Sequence, residues 1–266
     1  MKAKKILYVL LIVVLVLALL MGGGFAYLYF NGISGMSDTT QAKDSQIKIA
    51  CVGDSTTYGH GISNWPENNY PAVLQTLLGD GYHVNNYGVS SFAVQESADR
   101  SYRTLPHYQE SLAYDADYVV FMMGSNDSKP ENWKGADAFK RDLLSLLDTY
   151  GDAEMILCTL PSAFFLEGQT ECVTEHDIQP LIVDEIAEVT RTVAAERGFT
   201  LLDIHALTAE HPEWFSKDGV HPSNEGAAAI AQKVAAVLTS KYLNTNRIAI
   251  RPWIALHSMG DTFVKR

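Results

Sequence analysis

Ser55, Gly88, Asn126, Asp218 and His221 are the residues of this 266-residue chain whose types could together do chemistry. A serine hydroxyl attacks a carbonyl only weakly unless a neighbouring base takes its proton. A histidine can take that proton near neutral pH. Asp218, three residues before His221, can orient the imidazole and stabilise its charged form. Acyl transfer also needs donors fixed in advance around the oxygen that becomes negative. The backbone N–H groups of Ser55 and Gly88 and the side-chain amide of Asn126 could supply three. Gly53 suits a tight turn presenting the hydroxyl, and Gly88 suits a close backbone approach to substrate. Each fragment alone is weak, because Gly-Asp-Ser is an ordinary turn and Asp-x-x-His an ordinary spacing.

Their positions in the chain strengthen the reading. Five short apolar runs, 47–52, 82–87, 117–123, 155–160 and 199–204, read as strands. Helical spacing of apolar residues falls between them, at 71–78, 92–103, 138–150 and 178–193, and again at 224–242. Strands of this length alternating with helices predict a parallel sheet covered on both faces. Ligands bind such a sheet at the carboxyl ends of its strands. Ser55 follows the first strand, Gly88 the second, Asn126 the third and His221 the fifth, so all four are expected at one edge. Two segments have no clear pattern: 161–176, a long loop carrying Phe164-Phe165-Leu166, and 244–266.

In this order the clusters resemble the SGNH hydrolase superfamily, the GDSL-like lipases and acylhydrolases, in its carbohydrate-esterase-like branch. Gly53-Asp54-Ser55 is similar to its first block and Asn86-Tyr87-Gly88 to its glycine block. Gly124-Ser125-Asn126-Asp127 is similar to G-x-N-D, and Asp218-Gly219-Val220-His221-Pro222 to D-x-x-H-P. Thr56 stands where the name-giving motif has leucine, a position that varies in the superfamily. The resemblance covers roughly 47–242. It implies a flavodoxin-like three-layer α/β/α sandwich on a five-stranded parallel sheet. It also implies a catalytic triad of Ser55, Asp218 and His221, an oxyanion hole from Ser55, Gly88 and Asn126, and ester hydrolysis without metal or cofactor.

The remaining features bound the setting. With 47% hydrophobic and 19% charged residues the chain can bury a sizeable core. A net charge of -11 repels phosphate backbones and argues against nucleic acid as a partner. Residues 6–30 carry no charge and would span roughly 37 Å as a helix, enough to cross a bilayer. Lys2, Lys4 and Lys5 precede that run, which places the N-terminus in the cytoplasm and the bulk of the chain outside. The expected organisation is a basic stub and single-pass membrane anchor (1–30), a linker (31–46), a hydrolase domain (47–243) and a tail (244–266). Three cysteines, Cys51, Cys158 and Cys172, give no disulfide framework. No Cys/His spacing marks a metal site. His60, His83, His107, His176, His205, His211 and His257 have no motif around them and read as surface or core histidines. The expected substrate is a short acyl ester of a glycan. The alternatives are a lysophospholipase-like lipid esterase, an O-acetyltransferase acting on a wall sugar and a non-catalytic binding module.

Overall fold

The computed structural model describes residues 2–30, 35–37, 39–166, 168 and 176–241. The expected tail at 244–266, and Cys172, lie outside the described residues. Five strands, β1 (Ile47–Gly53), β2 (Tyr82–Gly88), β3 (Tyr118–Met122), β4 (Glu154–Cys158) and β5 (Thr200–Leu202), form one parallel sheet in the order β2-β1-β3-β4-β5. This is the flavodoxin-like order, with its topological switch point between β1 and β3.

Side chains alternate across the pleat. Ala50, Val52, Val119, Phe121 and Leu157 point into one core, with Tyr108, Phe139, Leu143, Val183 and Ile186. These partners come from helices Pro106–Ala113, Ala136–Leu147 and Pro180–Arg197. Ile49, Cys51, Val120, Met122, Ile156 and Cys158 point into the other, with Tyr70 and Leu74 from helix Tyr70–Leu78 and Ile230 and Val234 from a helix over 224–241. The sheet is therefore covered on both faces, as its continuously apolar strands predict.

Two glycines at the carboxyl edge are required by space. Gly53 closes β1 and pairs with Gly88 of β2 on one side and Met122 of β3 on the other. A Cβ on Gly53 would collide with the Thr57 hydroxyl and the Met122 carbonyl. A Cβ on Gly88 would lie 2.8 Å from Tyr58 Cα and closer still to the Tyr58 nitrogen. The missing side chains let the short helix Ser55–Tyr58 lie directly on the strand ends. Gly53 thus serves close packing and not the turn expected of it.

The helix expected over 92–103 is absent. Its backbone amides are taken by side chains from elsewhere. Val94 and Gln95 donate to the Asp127 carboxylate at 2.9 and 2.8 Å, Glu96 to Asp142 at 3.1 Å and Asp99 to Asn132 at 2.9 Å. Local apolar spacing could not anticipate acceptors supplied from more than 30 residues away. A helix at Pro106–Ala113, missed in the sequence, fills this place in the order.

The segment expected as a linker is strapped along β2. Ser37 donates to the Asn86 carbonyl at 2.6 Å, and Thr40 and Asn85 exchange hydrogen bonds at 3.1 and 2.9 Å. Ahead of it, Lys2–Phe30 is one helix of 29 residues. Its side chains are described at Tyr8, 12–24 and Ala26, and all are exposed. Among the described residues no helix is long and apolar enough to cross a membrane. The transmembrane span expected over 6–30 is therefore not found among them.

Gly88→Ala should destabilise the domain by about 1–3 kcal/mol or more, the cost of overpacking against a backbone that cannot yield. It should lower hydrolysis with it by displacing the Ser55 helix. Thermal unfolding and initial rates check this; an unchanged melting temperature would show that the β2–helix contact is loose.

Candidate active site

Ser55 is the first residue of its helix and Asp54 is the N-cap, accepting the Thr56 N–H at 3.0 Å. The other oxygen of Asp54 accepts the N–H groups of Ser125, at 3.1 Å, and Gly124, at 3.4 Å. This fully buried carboxylate joins the helix after β1 to the turn after β3. Burial pushes its pKa up, and the amides of Thr56, Ser125 and Gly124 pull it back down.

The triad is assembled. Ser55 Oγ lies 2.9 Å from His221 Nε2, and His221 Nδ1 lies 2.7 Å from Asp218 Oδ2. The second oxygen of Asp218 accepts the N–H groups of Val220 and His221 at 2.8 and 3.0 Å, so the loop holds its own orienting group. Burial would raise the Asp218 pKa, but the facing imidazoles of His176 and His221 hold it far below the usual carboxylate range. A permanently ionised Asp218 keeps the proton on Nδ1 and the lone pair on Nε2, facing Ser55.

Two of the three expected oxyanion donors are in place. Ser55 is at the start of a helix, where its N–H has no intrahelical acceptor. Asn126 lines the cavity and donates one N–H of its amide to the Phe92 carbonyl at 3.0 Å. That bond fixes the amide plane and leaves its second N–H for a substrate oxygen. Next to it, Asp127 is fully buried on the amides of Val94 and Gln95, and burial pushes its pKa up to about 7 against those two bonds.

Gly88 is not brought to the cavity, which corrects the third assignment. Its N–H donates to Asn86 Oδ1 at 2.9 Å, and its missing side chain makes room for Tyr58. Ser90 and Ser91, two and three residues further on, line the cavity instead. The Ser90 N–H is committed to the Gly35 carbonyl at 3.0 Å, which makes Ser91 the candidate for a third donor. Ser91 has φ of 74°, a left-handed backbone costing a non-glycine roughly 1–2 kcal/mol. Residue type did not mark it, because serine seldom adopts that conformation.

Two histidines that read as bland also line the cavity. The ring centres of His60 and His176 stand 4.6 and 5.1 Å from that of His221. Burial and the adjacent His221 and His176 lower the His60 pKa to about 4, so this ring is neutral at physiological pH. The spacing of His60, five residues after the nucleophile, was its only signal; His176, in the long loop, had none. The cluster of His60, His176 and His221 is also where the described residues could hold a metal ion. Tyr58 and Trp65, in contrast, are buried core residues, with the Trp65 indole donating to the Tyr58 carbonyl at 2.7 Å. Phe164 does not line the cavity. Its N–H donates to Gly219 at 2.8 Å and its ring meets Phe215 edge-on at 5.0 Å, bracing the loop that carries His221.

The cavity over the triad holds about 50 Å³. Larger hollows, about 480 and 510 Å³, share Lys48 near the start of β1 and lie at the opposite edge of the sheet. The chemistry belongs at the carboxyl edge, as the parallel topology requires.

A nucleophile, base and orienting carboxylate at the carboxyl edge of a doubly wound sheet define a serine hydrolase. Residues 51–229 match the GDSL-like Lipase/Acylhydrolase family, and the chain belongs to it. A protein named acetylxylan esterase from Xylanibacter ruminicola is 32% identical over 217 residues, which is 74% of this chain and 44% of that protein. The chain thus spans less than half of that relative's length. Among solved structures, a carbohydrate acetylesterase family member from Sinorhizobium meliloti superimposes with a TM-score of 0.60 at 23% identity, over 73% of this chain and 97% of the other. A structure described as a putative arylesterase from Agrobacterium tumefaciens gives 0.59 at 20% identity, over 73% and 99%. At these identities the two structures show the shared fold.

Ser55→Ala should abolish ester hydrolysis with little change in stability, since one hydroxyl and no core atom is lost. Activity within a few-fold of wild type would eliminate Ser55 as nucleophile. Asn126→Ala should lower kcat about 10²–10³-fold, the usual cost of one oxyanion donor. An effect confined to KM would make Asn126 a substrate-positioning residue only.

Proposed function

We propose that this chain is an extracytoplasmic serine esterase that removes acetyl groups from a carbohydrate of the cell envelope or its surroundings. Ser55 Oγ attacks the ester carbonyl as its proton passes to His221 Nε2. The resulting oxyanion is held by the N–H groups of Ser55, Ser91 and Asn126. Collapse breaks the bond to the alcohol, which leaves with the proton from Nε2. Water then attacks the acyl-enzyme, giving its proton to Nε2, and Ser55 departs with that proton restored.

The size of the cavity carries the substrate reading. About 50 Å³ of water-accessible space holds only a few waters, at about 10–15 Å³ each. Among the described residues a space of that size suits an acetyl group better than a fatty chain. Its rim is polar, with Ser90, Ser91, Ser125, Asn126 and two imidazoles. The name of the Xylanibacter relative and that of the Sinorhizobium structure agree with an acetylated sugar.

The extracytoplasmic setting rests on the sequence, in the uncharged run of 6–30 behind Lys2, Lys4 and Lys5. The chain should sediment with membranes and be shaved from intact cells by added protease. A soluble product beginning near residue 30 would favour a cleaved signal.

A series of p-nitrophenyl esters from acetate to decanoate tests the acyl preference, with kcat/KM expected to peak at acetate. Each buried methylene adds about 0.8 kcal/mol where an apolar channel exists. A maximum at octanoate or beyond would overturn the acetyl reading.

A further inference from the structure

The hydrolytic sequence uses one imidazole, yet three converge on the cavity. Nitrogen atoms of His60, His176 and His221, one from each ring, all lie within 4.8 Å of one another. The rings of His60 and His176 are 6.1 Å apart, and each stands closer to His221 than to the other. Three imidazoles with an open position are a common ligand set for zinc, and imidazole suits zinc, copper and nickel over magnesium or calcium. At Zn–N distances of about 2.0–2.1 Å, a tetrahedral ion needs nitrogens roughly 3.3 Å apart. His60 and His176 are only partly buried, and binding an ion requires their rings to turn inward by that difference.

His221 is already prepared as a ligand. Asp218 accepts its Nδ1–H at 2.7 Å, which leaves the lone pair on Nε2. A carboxylate on the far nitrogen is the usual outer support of a zinc-bound histidine. Asp218 Oδ2 also lies 3.8 Å from His176 Nε2, placing negative charge beside the cluster.

We infer that His60, His176 and His221 form a binding site for a zinc-class divalent ion, and that its occupation switches the esterase off. The ion and the Ser55 proton compete for one lone pair. With the ion on Nε2, the 2.9 Å contact with Ser55 Oγ is lost and the serine has no base. No covalent bond or oxidation state changes, so removing the ion restores the enzyme.

The test uses the purified full-length chain, stripped with EDTA and dialysed. Zinc chloride is titrated during hydrolysis of p-nitrophenyl acetate, and calorimetry follows zinc binding to the Ser55→Ala protein, where catalysis plays no part. One zinc should bind per chain, hydrolysis should fall in step with binding, and EDTA should restore it. Magnesium and calcium at equal concentration should do neither. In the Ser55→Ala background, His60→Ala and His176→Ala, each checked as folded by circular dichroism, should weaken zinc binding by at least roughly tenfold, a loss seen even for outer-shell partners. Absence of zinc binding, unchanged affinity in both folded variants, activation by zinc, or equal inhibition by magnesium would overturn the inference. The calorimetric arm decides it whatever the preferred ester proves to be.

Discussion

The buried carboxylate of Asp54 holds the site together. It caps the Ser55 helix through Thr56 and clasps the turn after β3 through Ser125 and Gly124. Nucleophile and oxyanion amide belong to elements 71 residues apart, and this one side chain sets their separation. The arrangement is costly, since burial opposes the charge. The three amides offset that cost by giving the carboxylate the donors that water would have supplied. Glycine at 53 and 88 is the steric counterpart, allowing the clasped helix to rest on the strand ends.

Asp127 repeats the device one layer out. Its carboxylate takes the amides of Val94 and Gln95, while Asn126 beside it takes the Phe92 carbonyl. A loop with a helical pattern is thereby held open against the site. The same loop carries Ser91 in its left-handed conformation, so local strain is stored beside the position where a substrate oxygen would sit. The third loop, with His221, stabilises itself through the double acceptance at Asp218 Oδ1 and through Phe164 packed on Phe215.

A serine hydrolase needs one imidazole free to exchange a proton. Crowding His60 and His176 around it changes what else the site can hold. Both rings sit close enough to share a ligand with His221, and one of them also touches the orienting carboxylate. A small acyl cavity walled by imidazoles and hydroxyls is chemically different from the apolar channel of a lipase on a similar fold.

The sequence by itself determined the strand–helix alternation, the parallel sheet and the residues of the triad. Strand cores are set by local apolar runs, and motif residues follow strand ends, so both can be seen without any long-range contact. Ser55, Asn126, Asp218 and His221 meet because chain order and sheet topology leave them little choice. Only the tertiary structure decided which backbone amide faces the cavity. Gly88 looked like the donor, but Asn86 takes its N–H and Tyr58 takes its space, and Ser91 becomes the candidate. Only packing could show that 92–103 gives its amides to Asp127, Asp142 and Asn132, that Tyr58 and Trp65 belong to the core, and that His60 and His176 stand at His221. Most of these outcomes depend on partners distant in sequence, and a periodicity of two or 3.6 residues carries no information about them.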